Sequence, residues 1–226
     1  KWQSERDFEE GVAAIGRFLA FQREHADTPQ RSEVDFNRVV EVQTPSGGVE
    51  RILMKGSIDR IEIIEFFYYG CPICYELQPL MSRWLVGAPN YVAHRRVPVS
   101  SADGWESFAR LFYTLEIMGQ IPRLHWPVYD NFHFDGVQLN EEKTMIEWVS
   151  KNGVDREKFI AAYNSPEIKA KLDEARKMMQ TYDIRAVPSI VVDGKFVSTS
   201  RMAGGTRELI QVVDSLTKLA RKERPR

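Results

Sequence analysis

The sequence predicts an α/β domain with a helical segment inserted into it. Short runs of β-branched and aromatic residues, such as residues 61–68, alternate with longer stretches whose apolar residues recur at helical spacing. A block of helical patterns from about residue 102 to 165 separates the strand-rich parts. The only two cysteines among 226 residues lie in Cys71-Pro72-Ile73-Cys74, between a predicted strand and a predicted helix.

Residues 4–25 predict an extra N-terminal helix, within an extension that we place at residues 1–32. Four apolar residues recur there at helical spacing: Phe8, Val12, Ile15 and Leu19. Such a stripe must be buried somewhere. We expect the helix to dock on its own domain, to form a dimer, or to act as a spacer from a lost membrane anchor.

Three segments before residue 100 have the pattern of strands. The first covers residues 36–42, and a turn signal of Pro, Ser and Gly follows it at 44–48. The second covers residues 61–68 and ends at Gly70; being short and apolar, it is typical of a buried strand. The third covers residues 91–99.

The stretch after the cysteine pair predicts a helix that begins at Pro72. Proline suits the first helical position, because its missing N–H costs nothing there and its φ is already helical. Leu77, Met81 and Trp84 fall on one face of this helix. Pro79 lies inside it, where we expect a kink.

The second half of the chain begins with helical patterns and ends with a hairpin and a helix. Helices are predicted at about residues 108–118, 145–149, 159–163 and 164–182, and Pro122 and Pro127 indicate a linking stretch between the first two. Strands at 189–192 and 195–198 flank an Asp193-Gly194 turn. Thr206 is expected to cap the last helix. We place the inserted helical domain at 102–165 and the α/β domain at 33–101 and 166–226.

Composition narrows the classes of function. Charged residues make up 28% of the chain and the formal net charge is −1, so no strong field favours nucleic acid or an anionic membrane. No apolar run is long enough to span a bilayer. No signal peptide is present and the chain begins at Lys1-Trp2, so we expect that a leader or anchor has been removed.

The spacing of the two cysteines favours redox chemistry. A structural disulfide closing so short a loop would constrain the unfolded chain little. A structural zinc site needs four ligands, and none of the four histidines, at 25, 94, 125 and 133, forms a close pair with another. Cys-x-x-Cys after a strand and before a helix is typical of thioredoxin-like redox proteins. We expect neither a metal nor a cofactor.

The helix gives the two sulfurs different roles. Cys71 lies at the helix N-terminus, where amide hydrogens and the macrodipole stabilise an anion, so its pKa should be low and it should be the nucleophile. Cys74 lies one turn into the helix and should resolve the mixed disulfide.

Two segments resemble the DsbA family of thiol:disulfide oxidoreductases. Glu65-Phe66-Phe67 leading into the cysteine motif and Tyr75 is similar to the active-site region of that family. Residues 184–195, Ile-Arg-Ala-Val-Pro-Ser-Ile-Val-Val-Asp-Gly-Lys, are similar to its cis-proline loop and the following hairpin. His133 and residues 153–156 also resemble features of its inserted segment. The match runs from about Phe36 to the C-terminal helix.

The resemblance implies a thioredoxin fold and a periplasmic dithiol oxidant that a quinone-linked membrane partner reoxidises. It implies that Pro188 is cis and that Val187 exposes its backbone to an extended segment of a reduced or misfolded protein. Pro72 and Ile73 are expected to contact the same substrate. Pro188 could instead be an ordinary proline at the start of a strand.

Glu65 is the acid that the family carries beneath the cysteines as a proton relay, and its apolar neighbours on the strand favour that role. The alternative is an acid that pairs with a lysine or arginine at a strand end. Glu62 and His94 are expected to be solvated, and His133 is assigned to packing.

Ile73 departs from the best-known members of the family, which have histidine at this position. Isoleucine cannot stabilise the neighbouring thiolate through charge or a hydrogen bond, so we expect a weaker oxidant with a higher Cys71 pKa. Two other functions stay open. One is a periplasmic reductase or isomerase with a mainly reduced pair, and the other is a thioredoxin-like module that binds a metal or peptide without catalysis.

Overall fold

The computed structural model describes residues 39–43, 49–53, 60–100 and 104–224. The predicted helix at 4–25, and with it the proposed dimer contact or anchor spacer, lies outside these residues. The chain divides into two compact units. The sheet unit contains the described residues up to Glu65, then Pro79–Arg96 and the chain from Pro188 onward. The helical unit contains Phe66–Gln78 and Val97–Val187.

Two strands precede the main sheet. β1 (Val39–Gln43) and β2 (Val49–Leu53) pair antiparallel, with Val39 opposite Leu53 and Gln43 opposite Val49. β1 coincides with the second half of the strand predicted at 36–42, whose first three residues lie outside the described part of the chain. β2 was not predicted.

The main sheet has four strands in the order β4-β3-β5-β6. The strands are β3 (Ile61–Phe67), β4 (Val92–Pro98), β5 (Ser189–Val192) and β6 (Phe196–Thr199). In β3 every residue except Glu62 is buried, as the apolar run predicts. β5 and β6 form the predicted antiparallel hairpin, with Val192 opposite Phe196 and three residues between the strands. Asp193 and Gly194 in this loop both have positive φ (53° and 61°), a conformation that Asp and Gly tolerate better than most residues.

The helix after the cysteine pair, α1 (Pro72–Gly87), begins at Pro72 as predicted and contains Pro79. Its buried face is formed by Cys74, Leu77, Gln78 and Met81. This burial places the second cysteine of the motif inside the protein, and leaves Pro72 and Ile73 on the surface at the start of the helix.

The helical unit contains α2 (Glu106–Ile117), α3 (Ile121–His133), α4 (Glu142–Lys151), α5 (Arg156–Tyr163) and α6 (Pro166–Thr181). Side chains cap two of them: Asp155 accepts from the Lys158 amide and Ser165 from the Ile168 amide. An aromatic cluster fills the interior of this unit, with rings of Phe67, Tyr69, Phe108, Phe112 and Tyr129 in contact.

The predicted linking stretch at Pro122 and Pro127 is wrong, because those residues lie within α3. Pro122 falls in the first turn, where a missing N–H leaves no bond unmade. Pro127 removes one helical bond, but Leu124 and Val128 on the same face are buried, and this packing holds the helix together.

The chain ends with α7 (Ser200–Ala203), which was not predicted, and α8 (Thr206–Glu223), which packs against β5 and β6. Thr206 is the first residue of α8 and not its cap; Gly205 occupies the cap position. Among the described residues, no helix combines the length and hydropathy that a membrane span requires. The domain boundaries at 33–101, 102–165 and 166–226 stay predictions.

Candidate active site

The two cysteines occupy different environments at the start of α1. Cys71 lies immediately before the helix and its carbonyl accepts from the Tyr75 amide (3.0 Å), so it belongs to the first helical turn. Its side chain is half-buried, whereas Cys74 is fully buried. The structure holds the pair as two thiols. A substrate sulfur can therefore approach Cys71, and Cys74 is shielded.

The environment of Cys71 favours its thiolate. The Cys74 amide donates to Cys71 Sγ over 3.4 Å. The pKa of Cys71 is lowered to about 6; a hydrogen bond from the Cys74 side chain is the main cause, and the amides of Cys74 and Ile73 add to it against the opposing effect of burial. With a pKa of about 6, roughly nine-tenths of this thiol is ionised at pH 7. The direction agrees with that expected at a helix N-terminus.

The loop before Cys71 is held by aromatic packing. Tyr68 accepts from the Cys71 amide through its carbonyl (3.0 Å), and its ring stacks on Trp105 with centroids 4.0 Å apart. A Cβ on Gly70 would lie 2.5 Å from the Tyr68 ring, which explains why glycine stands there. Burial raises the pKa of Tyr68, and the negative charge of Cys71 adds to the rise.

Val187 lies next to the sulfur of Cys71, the expected nucleophile. Its carbonyl is 3.7 Å from Cys71 Sγ and accepts from the thiol. The structure therefore brings Val187 next to Cys71 and Cys74. Cys71 and Val187 are 116 positions apart in the sequence. Pro188 follows Val187 in the chain, is buried, and directly precedes β5.

Sequence reasoning missed the contribution of α3. The ring of Tyr75 stacks on Trp126 (centroids 5.1 Å apart) and on His133 (5.0 Å), and its hydroxyl donates to Asp130 Oδ1 (2.8 Å). Trp126, Asp130 and His133 are spaced i, i+4 and i+7, so they share one face of a helix. This spacing is readable from the sequence once the segment is recognised as helical.

Exposed apolar side chains lie on the helical unit. Ile73 is 45% exposed and Trp126 43%. Trp126 is stacked on Tyr75, two residues after Ile73, so an aromatic surface adjoins the start of α1. The arrangement offers an apolar contact to a chain that approaches Cys71.

Glu65 is described separately, because it belongs to the sheet unit. It is fully buried, and its Oε2 lies 3.1 Å from His94 Nε2 and 3.2 Å from Arg96 Nε. The expectation of a solvated His94 is wrong, since its side chain is only 10% exposed and donates to the buried acid. Glu62 is also paired and not simply solvated: Arg95 Nε lies 2.8 Å from it, and burial raises its pKa.

The chain is similar to one family model and to several known proteins. The DSBA-like thioredoxin domain model matches residues 90–216, more than half of the chain. A thiol:disulfide interchange protein DsbA from Azotobacter vinelandii is 38% identical over 157 residues, which cover 70% of this chain and 73% of that protein. Among solved structures, Pseudomonas aeruginosa DsbA is similar with a TM-score of 0.70 and 31% identity, over 84% of this chain and 92% of that one. Neisseria meningitidis DsbA1, at 23% identity and a TM-score of 0.64 over 75% of this chain and 88% of that one, shares the fold.

A half-exposed thiolate before a helix, with a buried second thiol one turn later, defines a thiol:disulfide oxidoreductase of thioredoxin fold with inserted helices. The predicted fold class and enzyme class are confirmed. The chain belongs to the DsbA family.

Proposed function

We propose that the oxidised Cys71–Cys74 pair donates its disulfide to thiols of reduced or misfolded proteins outside the cytoplasm. The observation that carries this proposal is the contrast between the half-buried Cys71, whose sulfur accepts from the Cys74 amide over 3.4 Å, and the fully buried Cys74. This environment lowers the pKa of Cys71 to about 6. A thiolate that is stabilised in the reduced form makes reduction of the disulfide more favourable, and the protein a stronger oxidant.

The reaction proceeds through a mixed disulfide. A substrate thiolate attacks Cys71 Sγ, the bond to Cys74 Sγ breaks, and Cys74 leaves as a thiolate that takes up a proton. A second substrate thiolate then attacks the substrate sulfur bound to Cys71 and releases the Cys71 thiolate. The substrate loses two electrons and two protons; the enzyme pair gains both electrons, Cys74 takes up one proton, and the other proton goes to solvent because Cys71 leaves as a thiolate. In the reverse direction Cys71 attacks a substrate disulfide and Cys74 resolves the intermediate.

The substrate segment is proposed to lie along Val187. The contact between the Val187 carbonyl and Cys71 Sγ supports this, because a chain bonded to the sulfur would pass the Val187 backbone and could pair with it as an added strand. Pro188, cis in this proposal, presents that backbone. Pro72 and Ile73, both exposed at the start of α1, would contact the segment on the other side of the sulfur.

The cellular setting is proposed from the family. We place the protein in the periplasm, where disulfides persist, with a quinone-linked membrane protein that reoxidises Cys71 and Cys74. Dimerisation through residues 4–25 is kept as a proposal that size-exclusion chromatography with and without those residues would test.

Cys74→Ser tests the mechanism. Without the resolving thiol, Cys71 should hold substrate proteins in mixed disulfides that dithiothreitol releases, and Cys71→Ser should hold none. If Cys74→Ser traps nothing, the module binds without thiol exchange. Equilibration of the wild-type pair with glutathione measures its reduction potential: a pair that is more oxidising than glutathione supports the oxidant, and a pair that is more reducing supports the reductase.

Glu65 is proposed to exchange protons with the thiol pair. Its complete burial supports a perturbed acid, and its pairing with His94 and Arg96 supports the structural alternative as well. The two roles differ in one respect: only a relay alters the pH profile of disulfide exchange.

A further inference from the structure

Helix α3 contacts both flanks of the cysteine motif. Tyr69, two residues before Cys71, and Tyr75, one residue after Cys74, each form hydrogen bonds with it. On the C-terminal side, Tyr75 is fixed by Asp130 and by stacking between Trp126 and His133. The turn that carries the two thiols therefore lies between Tyr69 and Tyr75, and both of these residues are hydrogen-bonded to α3.

His133 fixes the N-terminal flank. Its Nε2 lies 2.7 Å from the Tyr69 carbonyl oxygen, and its ring stacks on Tyr75 with an interplanar angle of 12°. A carbonyl oxygen can only accept, so the proton of this bond is on Nε2. One imidazole thus contacts a residue on each side of the motif, Tyr69 and Tyr75.

His125 holds the other end of Tyr69. The Tyr69 hydroxyl lies 2.8 Å from His125 Nδ1, and His125 Nε2 lies 3.1 Å from Gln78 Oε1. The Gln78 oxygen accepts from Nε2–H, so Nδ1 accepts from the tyrosine hydroxyl. Tyr69 is thereby anchored at its side chain by His125 and at its carbonyl by His133.

The restraint on the Tyr69 carbonyl matters because Gly70 follows. Glycine has the widest backbone freedom, and at this position a side chain would run into the Tyr68 ring. Gly70, the one residue between the anchored Tyr69 and the nucleophile Cys71, is therefore of the residue type with the most backbone freedom. The Cys71 amide donates to the Tyr68 carbonyl (3.0 Å), and this bond together with the anchors on Tyr69 restrains the link that leads to the Cys71 sulfur, which accepts from the Cys74 amide over 3.4 Å.

We propose that His133 is a positioning residue that sets the pKa of Cys71 and the redox equilibrium of the pair. It acts through the Tyr69–Gly70 peptide and not on the sulfur. When the Nε2 bond to Tyr69 is lost, the link through Gly70 samples other conformations, the sulfur leaves the Cys74 amide for part of the time, and the thiolate is less stabilised. The dipeptide Pro72-Ile73 carries no imidazole of its own, and His133 is the histidine of α3 that contacts both flanks of this turn. The inference rests on the proposed redox function of the same pair.

Three substitutions of His133 distinguish the contribution of its Nε2–H donor from that of its stacked ring. His133→Gln keeps an amide N–H at about the position of Nε2, and His133→Asn places its amide one bond too short to reach Tyr69. His133→Phe keeps the ring on Tyr75 and removes the donor. The pKa of Cys71 is read from thiolate absorbance at 240 nm, and the redox equilibrium from titration of the intact chain against glutathione.

His133→Phe and His133→Asn should raise the pKa of Cys71 and weaken oxidation of glutathione by about threefold to tenfold, the size of one modest hydrogen bond. His133→Gln should stay within about twofold of wild type. The proposal is overturned if all three variants match wild type, or if His133→Gln changes as much as the other two. Should His133→Phe fail to fold, the comparison of Asn with Gln decides alone. The wild-type equilibrium tests the direction of the proposed function, while the ratio of variant to wild type tests His133, so each can fail without the other.

Discussion

Replacement of Ile73 by histidine should make this protein a stronger oxidant. Ile73 is the second residue of α1, is 45% exposed, and contributes its backbone amide to the stabilisation of the Cys71 thiolate. An imidazole at this position would add a positive charge within the same turn. Because the side chain is on the surface, the helix should accept the change without repacking.

The size of the effect follows from Coulomb's law. Opposite unit charges about 5 Å apart interact by about 3 kcal/mol at a protein surface and by about 0.8 kcal/mol in water. Ile73 is partly exposed, so we take about 1.4 kcal/mol, which is one pKa unit. The pKa of Cys71 should then fall from about 6 to about 5. When the imidazole is protonated, this increases the equilibrium constant for oxidation of substrate thiols by at most about tenfold, or roughly 30 mV. At pH 7 a histidine with an ordinary pKa of about 6.5 is only partly protonated, so the increase there is smaller.

The measurement is a titration of thiolate absorbance together with equilibration against glutathione. Ile73→Gln is the matched control, since it adds polarity and hydrogen-bonding capacity without charge, and it should change the pKa of Cys71 little. A histidine variant whose Cys71 pKa stays at the wild-type value would refute the electrostatic reasoning. A glutamine variant that shifts as far as histidine would show that polarity, and not charge, is the cause.

Two further predictions concern pH and the buried acid. The pKa of Cys71 is lower in the folded reduced protein (about 6) than its ordinary value of 9.0, so the thiolate stabilises the fold fully above pH 9 and loses this effect as pH falls through 6. The melting temperature of the reduced protein minus that of the oxidised protein should therefore increase from pH 5 to pH 9; a constant difference in calorimetry would contradict the lowered pKa. Glu65→Gln should destabilise the protein by about 1–3 kcal/mol in denaturant unfolding, because the partly buried Arg96 would lie beside a neutral group. If Glu65 also relays protons, the pH profile of disulfide exchange shifts in this variant, whereas an unchanged profile leaves it a purely structural acid.

Local patterns predicted the elements that depend on local physics. The buried strand before the cysteines, the start of α1 at Pro72 and the Asp193-Gly194 hairpin are each determined by neighbouring residues, and the structure has all three. The asymmetry of the two sulfurs was equally predictable, because the first turn of a helix leaves Cys71 at the end and rotates Cys74 inward.

Contacts between distant segments were not predictable in the same way. His94 was assigned to solvent because nothing in its own strand shows that it faces Glu65, 29 residues earlier. Helix α3 was missed because two prolines outweighed the helical spacing of Leu124 and Val128. Because α3 was missed, the hydrogen bonds of His125 and His133 to Tyr69 could not be inferred either.

Helix α3 changes how the absence of histidine at position 73 should be understood. A histidine inside the dipeptide acts on the sulfur directly, through charge, so its effect depends on its protonation. A histidine on α3 acts through the backbone, and its Nε2–H donates to the Tyr69 carbonyl whether or not the ring is charged. The two devices act by different routes on one sulfur, and a double-mutant cycle of Ile73→His and His133→Phe measures how far their effects on the Cys71 pKa are coupled. A protein with Ile73 and His133 has the proposed positioning device and lacks the electrostatic one.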